Sequence, residues 1–274
     1  MNIDCVDGFP TKGEAGLYWL GQAGFWIETG RYSILIDPYL SDSLARKYAG
    51  KKHPHIRMAP APISVEDLPK PDLVLITHAH TDHMDPDTLG PLYDRFPDLA
   101  FMVPAACEDA ARERINPRAN LILVDSNQEL SPLAELTIVT FPAAHEDLKR
   151  NAEGAHFYLG YGIKCPTFSL YHSGDSIPFE GLQGRVETFA PDIALLPVNG
   201  RDAQRLHDGI PGNFTFSEAA SLARTVPILV PHHFGMFDFN TISDAQIENE
   251  LARSSHPHVA VPVLGQTMRL RGTG

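Results

Sequence analysis

The sequence predicts an α+β fold in which two packed β-sheets are flanked by helices. Short apolar strand patterns recur along the whole chain, and helix-start signals stand between many of them. No steady strand–helix–strand rhythm joins them into one doubly wound sheet. With 274 residues, 43% of them hydrophobic, the chain can bury a large core. No repeat and no linker-like stretch divides it, so a single domain over residues 1–274 is expected.

Taken in order, residues 17–28 read as a strand interrupted by glycine, which Thr29-Gly30-Arg31 turns into a returning strand over 32–37. Residues 41–69 carry several prolines, a basic patch and scattered histidines, and read as a long surface loop with one helical turn. A buried-type strand over 73–77 runs into a histidine cluster. Asp85-Pro86 then starts a helix to about Phe96, because Asp caps and Pro suits the first turn. Strands follow at 101–103, 120–125, 136–141, 156–161, 167–171, 193–198, 228–230, 259–263 and 268–270, with a helix over 105–115. Residues 199–213 read as a loop. Thr215 with Glu218, and Ser243 with Gln246, form capping boxes for helices to about Thr225 and Arg253.

Composition narrows the function. Lys and Arg total 22 against 34 Asp and Glu, a net charge of -12 that repels polyanions over most of the surface. A long nucleic acid is therefore not an expected partner. Cys5, Cys107 and Cys165 form no CxxC pair and no disulfide framework. The N-terminus lacks a basic and apolar signal segment, and no run has the length of a membrane span. A cytoplasmic protein is expected, and a homo-oligomer is left open.

The chemistry concentrates in His78, His80, Asp82 and His83, four metal-competent side chains within six residues. A rigid strand before them and a capped helix after them define a short loop. His145, Asp175 and His233 each follow a later strand, and Gly174 allows close backbone approach beside Asp175. Ligands at the ends of distant strands can converge on one edge of a layered fold. Seven candidates exceed the need of one tetrahedral ion, and they include no cysteine. An open catalytic site with two divalent ions (zinc, manganese or iron) is expected rather than a closed structural one.

The run His78-Ala79-His80-Thr81-Asp82-His83 resembles the His-x-His-x-Asp-His motif of the metallo-β-lactamase superfamily. The resemblance extends over nearly the whole chain. It includes Trp19-Leu20-Gly21-Gln22-Ala23-Gly24-Phe25, Leu35-Ile36-Asp37-Pro38, His145, Ser173-Gly174-Asp175 and Pro231-His232-His233. It implies a metallo-β-lactamase-like, four-layer αββα sandwich. Within the superfamily the chain is similar to the branch of the L-ascorbate-6-phosphate lactonase, through residues 170–176, 231–237 and Asn213-Phe214-Thr215. The lactonase is longer and has no straightforward counterpart to His145, so ascorbate phosphate itself is not carried over.

The resemblance implies that His78, His80 and His145 hold one metal, that Asp82, His83 and His233 hold another, and that Asp175 bridges them. The pattern Pro-x-His selects His233 over His232, which is left to pack or to support a ligand. Asp82 and Asp175 are then the carboxylates of the catalytic centre. The implied activity is that of a lactonase- or esterase-like hydrolase, with a hydroxide activated by two metals attacking a small anionic lactone or ester. Asp37 reads equally as a turn former and as a support for a ligand. His172 reads as a support, a substrate contact or a packing residue. Arg201 and Arg205 are placed to overhang the site and meet an anion, or else to lie on a solvated loop. Rival readings are a metallophosphodiesterase acting on a small phosphodiester or nucleotide, a diiron redox protein, and a non-enzymatic metal-binding protein.

Overall fold

The structure is a computed structural model that describes residues 1–253 and 258–272. Strands β1 (Asn2–Asp7), β2 (Gly16–Gly21), β3 (Gly24–Glu28) and β4 (Ser33–Ile36) lead into helix α1 (Ser43–Lys47). Then come β5 (Leu73–Leu75), α2 (Pro86–Arg95), β6 (Ala100–Pro104), α3 (Glu108–Arg114), β7 (Asn120–Val124), β8 (Glu129–Leu133), β9 (Leu136–Pro142), β10 (Leu159–Lys164) and β11 (Ser169–His172). The chain continues through α4 (Leu182–Phe189), β12 (Ile193–Pro197), α5 (Ala203–His207), α6 (Phe216–Leu222), β13 (Ile228–His232), α7 (Asp244–Arg253) and β14 (Gln266–Arg271).

Two mixed sheets result. One has the order β1-β14-β2-β3-β4-β5-β6-β7 and the other β13-β12-β11-β10-β9-β8. Strand alternation explains the layers. Trp19, Phe25, Ile27, Ile34, Ile36, Leu73 and Leu75 share one apolar cluster with Ile138, Tyr161, Leu170 and Leu195 of the other sheet. Their neighbours Leu20, Trp26, Leu35, Val74 and Ile76 belong to a second cluster with Leu89 and Leu92 of α2 and Ala111 of α3. Residues of α4, α6 and α7 pack onto the first cluster from the side of the smaller sheet. Strands buried on both faces read as near-continuous apolar runs. The fold is the expected sandwich of two sheets between helices.

Several boundaries differ from expectation for identifiable reasons. Residues 17–28 are two strands, because Gly21 (φ 93°) and Gln22 (φ 51°) reverse the chain between them. The strands β1 and β8 lie at sheet edges, where the apolar signal is weak, and β8 contains Pro132. Helix α4 carries an internal Gly184 and no side-chain cap, so it lacked a start signal. Asp202 caps the short α5 within the expected loop by accepting from the Arg205 amide. The strand expected over 259–263 reduces to one bridge, Val259 with Leu229, before Pro262. Among the described residues, no helix is long and apolar enough to cross a membrane.

Candidate metal centre

Five strands deliver polar groups to one edge: β4 leads to Asp37, β5 to His78, β9 to His145, β11 to Asp175 and β13 to His233. The loop between β5 and α2 adds His80, Asp82 and His83. The donor atoms fall into three groups, each within 4.8 Å: His78, His80 and His145; His78, His83 and Asp175; and Asp82, His83 and His233. Asp175 stands between them. Its Oδ2 lies 3.2 Å from His233 Nε2, 3.4 Å from His83 Nε2 and 3.7 Å from His145 Nε2. Asp82 Oδ2 lies 3.7 Å from His233 Nε2 and 3.9 Å from His83 Nε2.

The hydrogen bonds behind the rings choose which nitrogen faces the centre. The Thr77 hydroxyl donates to Asp37 Oδ2 at 2.5 Å, so its oxygen is free to accept the Nδ1–H of His78 at 2.9 Å. Asp37 Oδ2 takes the Nδ1–H of His83 at 2.7 Å, and the Gly212 carbonyl takes that of His145 at 3.1 Å. Each arrangement leaves an Nε2 lone pair directed inward, as metal-binding histidines require. The Nε2 atoms of His78, His83 and His233 and Oδ1 of Asp175 are buried without a hydrogen-bond partner. Native interiors rarely leave such atoms unpaired. Four of them converging on one space, a carboxylate oxygen among imidazole nitrogens, fit divalent metal ions.

Electrostatics agree with this donor set. Burial and the neighbouring His83 and His80 hold His78 neutral, with its pKa well below the usual value. Burial likewise lowers that of His145, to about 4. For Asp175, burial opposes ionisation, but His233 and His83 outweigh it and keep the carboxylate charged. Burial also works against a charge on His83, yet Asp175, Asp37 and Asp82 raise its pKa well above normal. A cation bound among these carboxylates would take the place of that proton.

The supporting residues have definite positions. Asp37, fully buried, also accepts the Thr77 amide at 2.8 Å and adopts φ 43°, so it both turns the chain and supports His83. His172 does not line the cavity. Its Nε2 donates to the Ala23 carbonyl at 2.9 Å while its Nδ1 accepts the Gly174 amide at 3.0 Å, which holds the Asp175 loop. Gly174 has φ 61°, and a Cβ there would sit 2.6 Å from the Leu159 carbonyl oxygen. His232 stacks on His172 with ring centroids 4.7 Å apart, and neither of its buried nitrogens has a partner. His233 turns away from it with φ 62°, and its amide donates to the Gln22 carbonyl at 2.8 Å.

Arg201 and Arg205 require a correction. Both guanidinium groups are engaged internally and neither lines the cavity. Arg201 forms a two-pronged pair with Glu218 at 2.6 Å, and Arg205 binds Asp202 at 2.6 Å and the Asn199 carbonyl at 3.0 Å. Local carboxylates and carbonyls have taken the donors that an anionic ligand would need.

The cavity over the centre has a volume of about 630 Å³, in the range of small-molecule sites. His80, Asp82, His145, Asp175 and His233 form its floor, and residues from α1 to His55 and from Asp208 to Pro211 form walls. Sequence reasoning missed Gln22, whose Nε2 donates to Asp82 Oδ2 at 2.8 Å. It also missed Thr77, and Tyr158, whose ring lies 5.0–5.7 Å from those of His78, His80 and His145. None of the three is a usual metal ligand, so none of them stood out in the sequence.

Residues 32–234 match the family model described as the β-lactamase superfamily domain. The chain is 30% identical over 226 residues to a UPF0173 metal-dependent hydrolase of Pyrococcus furiosus, covering 81% of this chain and 84% of that protein. A UPF0173 metal-dependent hydrolase of Caldivirga maquilingensis is 27% identical over 252 residues, covering 90% of this chain and 94% of the other. The crystal structure of a possible metal-dependent hydrolase from Veillonella parvula superposes with a TM-score of 0.75 at 17% identity, covering 94% of this chain and 100% of that one.

Proposed function

This chain belongs to the metallo-β-lactamase superfamily and its UPF0173 metal-dependent hydrolase family, and we propose that it uses two divalent ions to hydrolyse a small carboxylic ester or lactone. The observation that carries this reading is the position of Asp175 Oδ2, within 3.7 Å of histidines from both halves of the donor set. Bound divalent ions supply Lewis acidity and lower the pKa of water. His78, His80 and His145 would hold one ion, and Asp82, His83 and His233 the other, with Asp175 shared. The donor set suits zinc, manganese or iron.

The chain's own groups do the rest. Asp37 and Thr77 fix the rings of His83 and His78, and Gln22 fixes the carboxylate of Asp82. Asp82 is thereby committed to holding and orienting, not to free proton transfer. A cavity of about 630 Å³ suits a small molecule. The similarity of residues 170–176 and 231–237 to the phosphorylated-lactone branch supports a lactone as substrate.

The test is turnover by metal-loaded and chelator-treated protein across sugar-derived lactones, simple carboxylic esters and bis-p-nitrophenyl phosphate. Hydrolysis of a lactone or ester, lost with the metal and restored by zinc, manganese or iron, is expected. Faster cleavage of the phosphodiester would replace this reading with a phosphodiesterase. No turnover of any substrate at full metal load would leave a metal-binding protein without this activity.

A further inference from the structure

We propose that the cavity reads a second anionic group on its ligand, a carboxylate or phosphate remote from the scissile bond, through Lys47, Lys51 and Arg114. The proposal rests on the hydrolase reading for the identity of the ligand as a substrate. It follows from a local reversal of charge. The chain carries a net charge of -12, yet Lys47, Lys51, Lys52 and Arg114 all line this cavity. Its lining carboxylates are Asp82, Asp175 and Asp208. The first two belong to the metal donor set. Asp208 is taken by Lys52 at 2.6 Å and by His53 at 3.1 Å.

That pairing leaves three cations without a carboxylate partner among the described residues. Two of them bracket the metal-binding loop. Lys47 Nζ lies 3.4 Å from the hydroxyl of Thr81, between His80 and Asp82. Arg114 donates to the carbonyls of Ala79, between His78 and His80, and of Met84. These acceptors are neutral, so they orient the cations without cancelling their charge. Lys51 also lines the cavity, four residues after Lys47 in the chain. Unbalanced like charges lining one open cavity raise the local concentration of an anion against the field of the whole molecule. The metal centre engages the reacting group, so the lysine wall is left for a group at the other end of a small ligand.

The test is equilibrium binding to metal-loaded protein, with butyrate, glutarate and phosphonobutyrate as probes. Each offers one carboxylate to the metal centre, and the latter two add a second anion. Either dianion should bind the parent about ten-fold tighter than butyrate, and the tighter of the two names the group preferred. The gap should shrink severalfold in the double variant Lys47→Gln, Lys51→Gln and on raising the ionic strength. Lys70→Gln, a surface change at a lysine paired with Asp98, should keep it. Equal affinities in the parent, or a gap that survives in the double variant, would overturn the proposal. Ester turnover is scored separately. Turnover without the gap removes the anion site and leaves the hydrolase reading. The gap without any turnover does the reverse.

Discussion

At the scale of single residues, Asp37 does two jobs that the sequence presented as alternatives. Its backbone is in the left-handed region, which turns the chain after β4, and its carboxylate is fully buried beneath the metal donors. The three groups it accepts, the Thr77 amide, the Thr77 hydroxyl and His83 Nδ1–H, all lie within 2.8 Å. An amide in its place cannot accept on both arms, so His83 would lose its fixed ring orientation. Asp37→Asn is therefore expected to weaken metal binding about 10- to 100-fold, measured by competition with a chromophoric chelator. Unchanged metal affinity in a folded variant would remove Asp37 from the support of the site. The histidines were legible because three of them share a six-residue run with Asp82. Gln22 was not, since its role depends on a two-residue turn hidden inside an apolar stretch, and an uncharged amide carries no signal of its own.

At the scale of elements, the strand–loop–helix unit from β5 to α2 was readable because each boundary has a chemical mark. Apolar residues define β5, and Asp85 caps α2 by accepting from the Asp87 amide. Helix α6 shows the same clarity, with Thr215 and Glu218 forming a reciprocal cap. Glu218 also bears on the two readings left open for the neighbouring loop. It draws in Arg201, whose Nη1 additionally donates to the Asn213 carbonyl at 3.0 Å, so the arginine ties the 199–213 segment to the start of α6. A sequence shows that an arginine is near a site in the chain, but not which carboxylate claims it. Arg201→Ala should therefore destabilise the fold by about 1 kcal/mol, since the pair is only partly buried. Denaturant unfolding would measure this. An unchanged midpoint together with a lost preference for anionic ligands would restore the arginine to the substrate.

At the scale of the whole molecule, the layered fold was legible from its rhythm of short strands and capped helices, while edge strands and the uncapped α4 were not, because weak amphipathicity leaves them little signal. Burial across the sheets has a further consequence at Glu28, which is 2% exposed. Its Oε1 accepts from Trp26 and Ser33, but Oε2 is buried without a partner. Burial raises its pKa above the usual carboxylate value despite those two hydrogen bonds. The folded chain thus holds this proton more tightly than the unfolded chain. The resulting stabilisation is complete below the unfolded pKa and is lost as pH rises through the higher folded one. The Tm of Glu28→Gln relative to the parent should accordingly increase with pH over that interval, and a difference independent of pH would contradict the assignment. The central claim, that strand ends from both sheets assemble one dinuclear centre around Asp175, is tested most directly by elemental analysis of the metal-loaded protein. Two ions per chain are expected in the parent, falling to one or fewer in Asp175→Asn while the metal-free fold keeps its Tm. One ion at full occupancy in the parent, unchanged in Asp175→Asn, would contradict it.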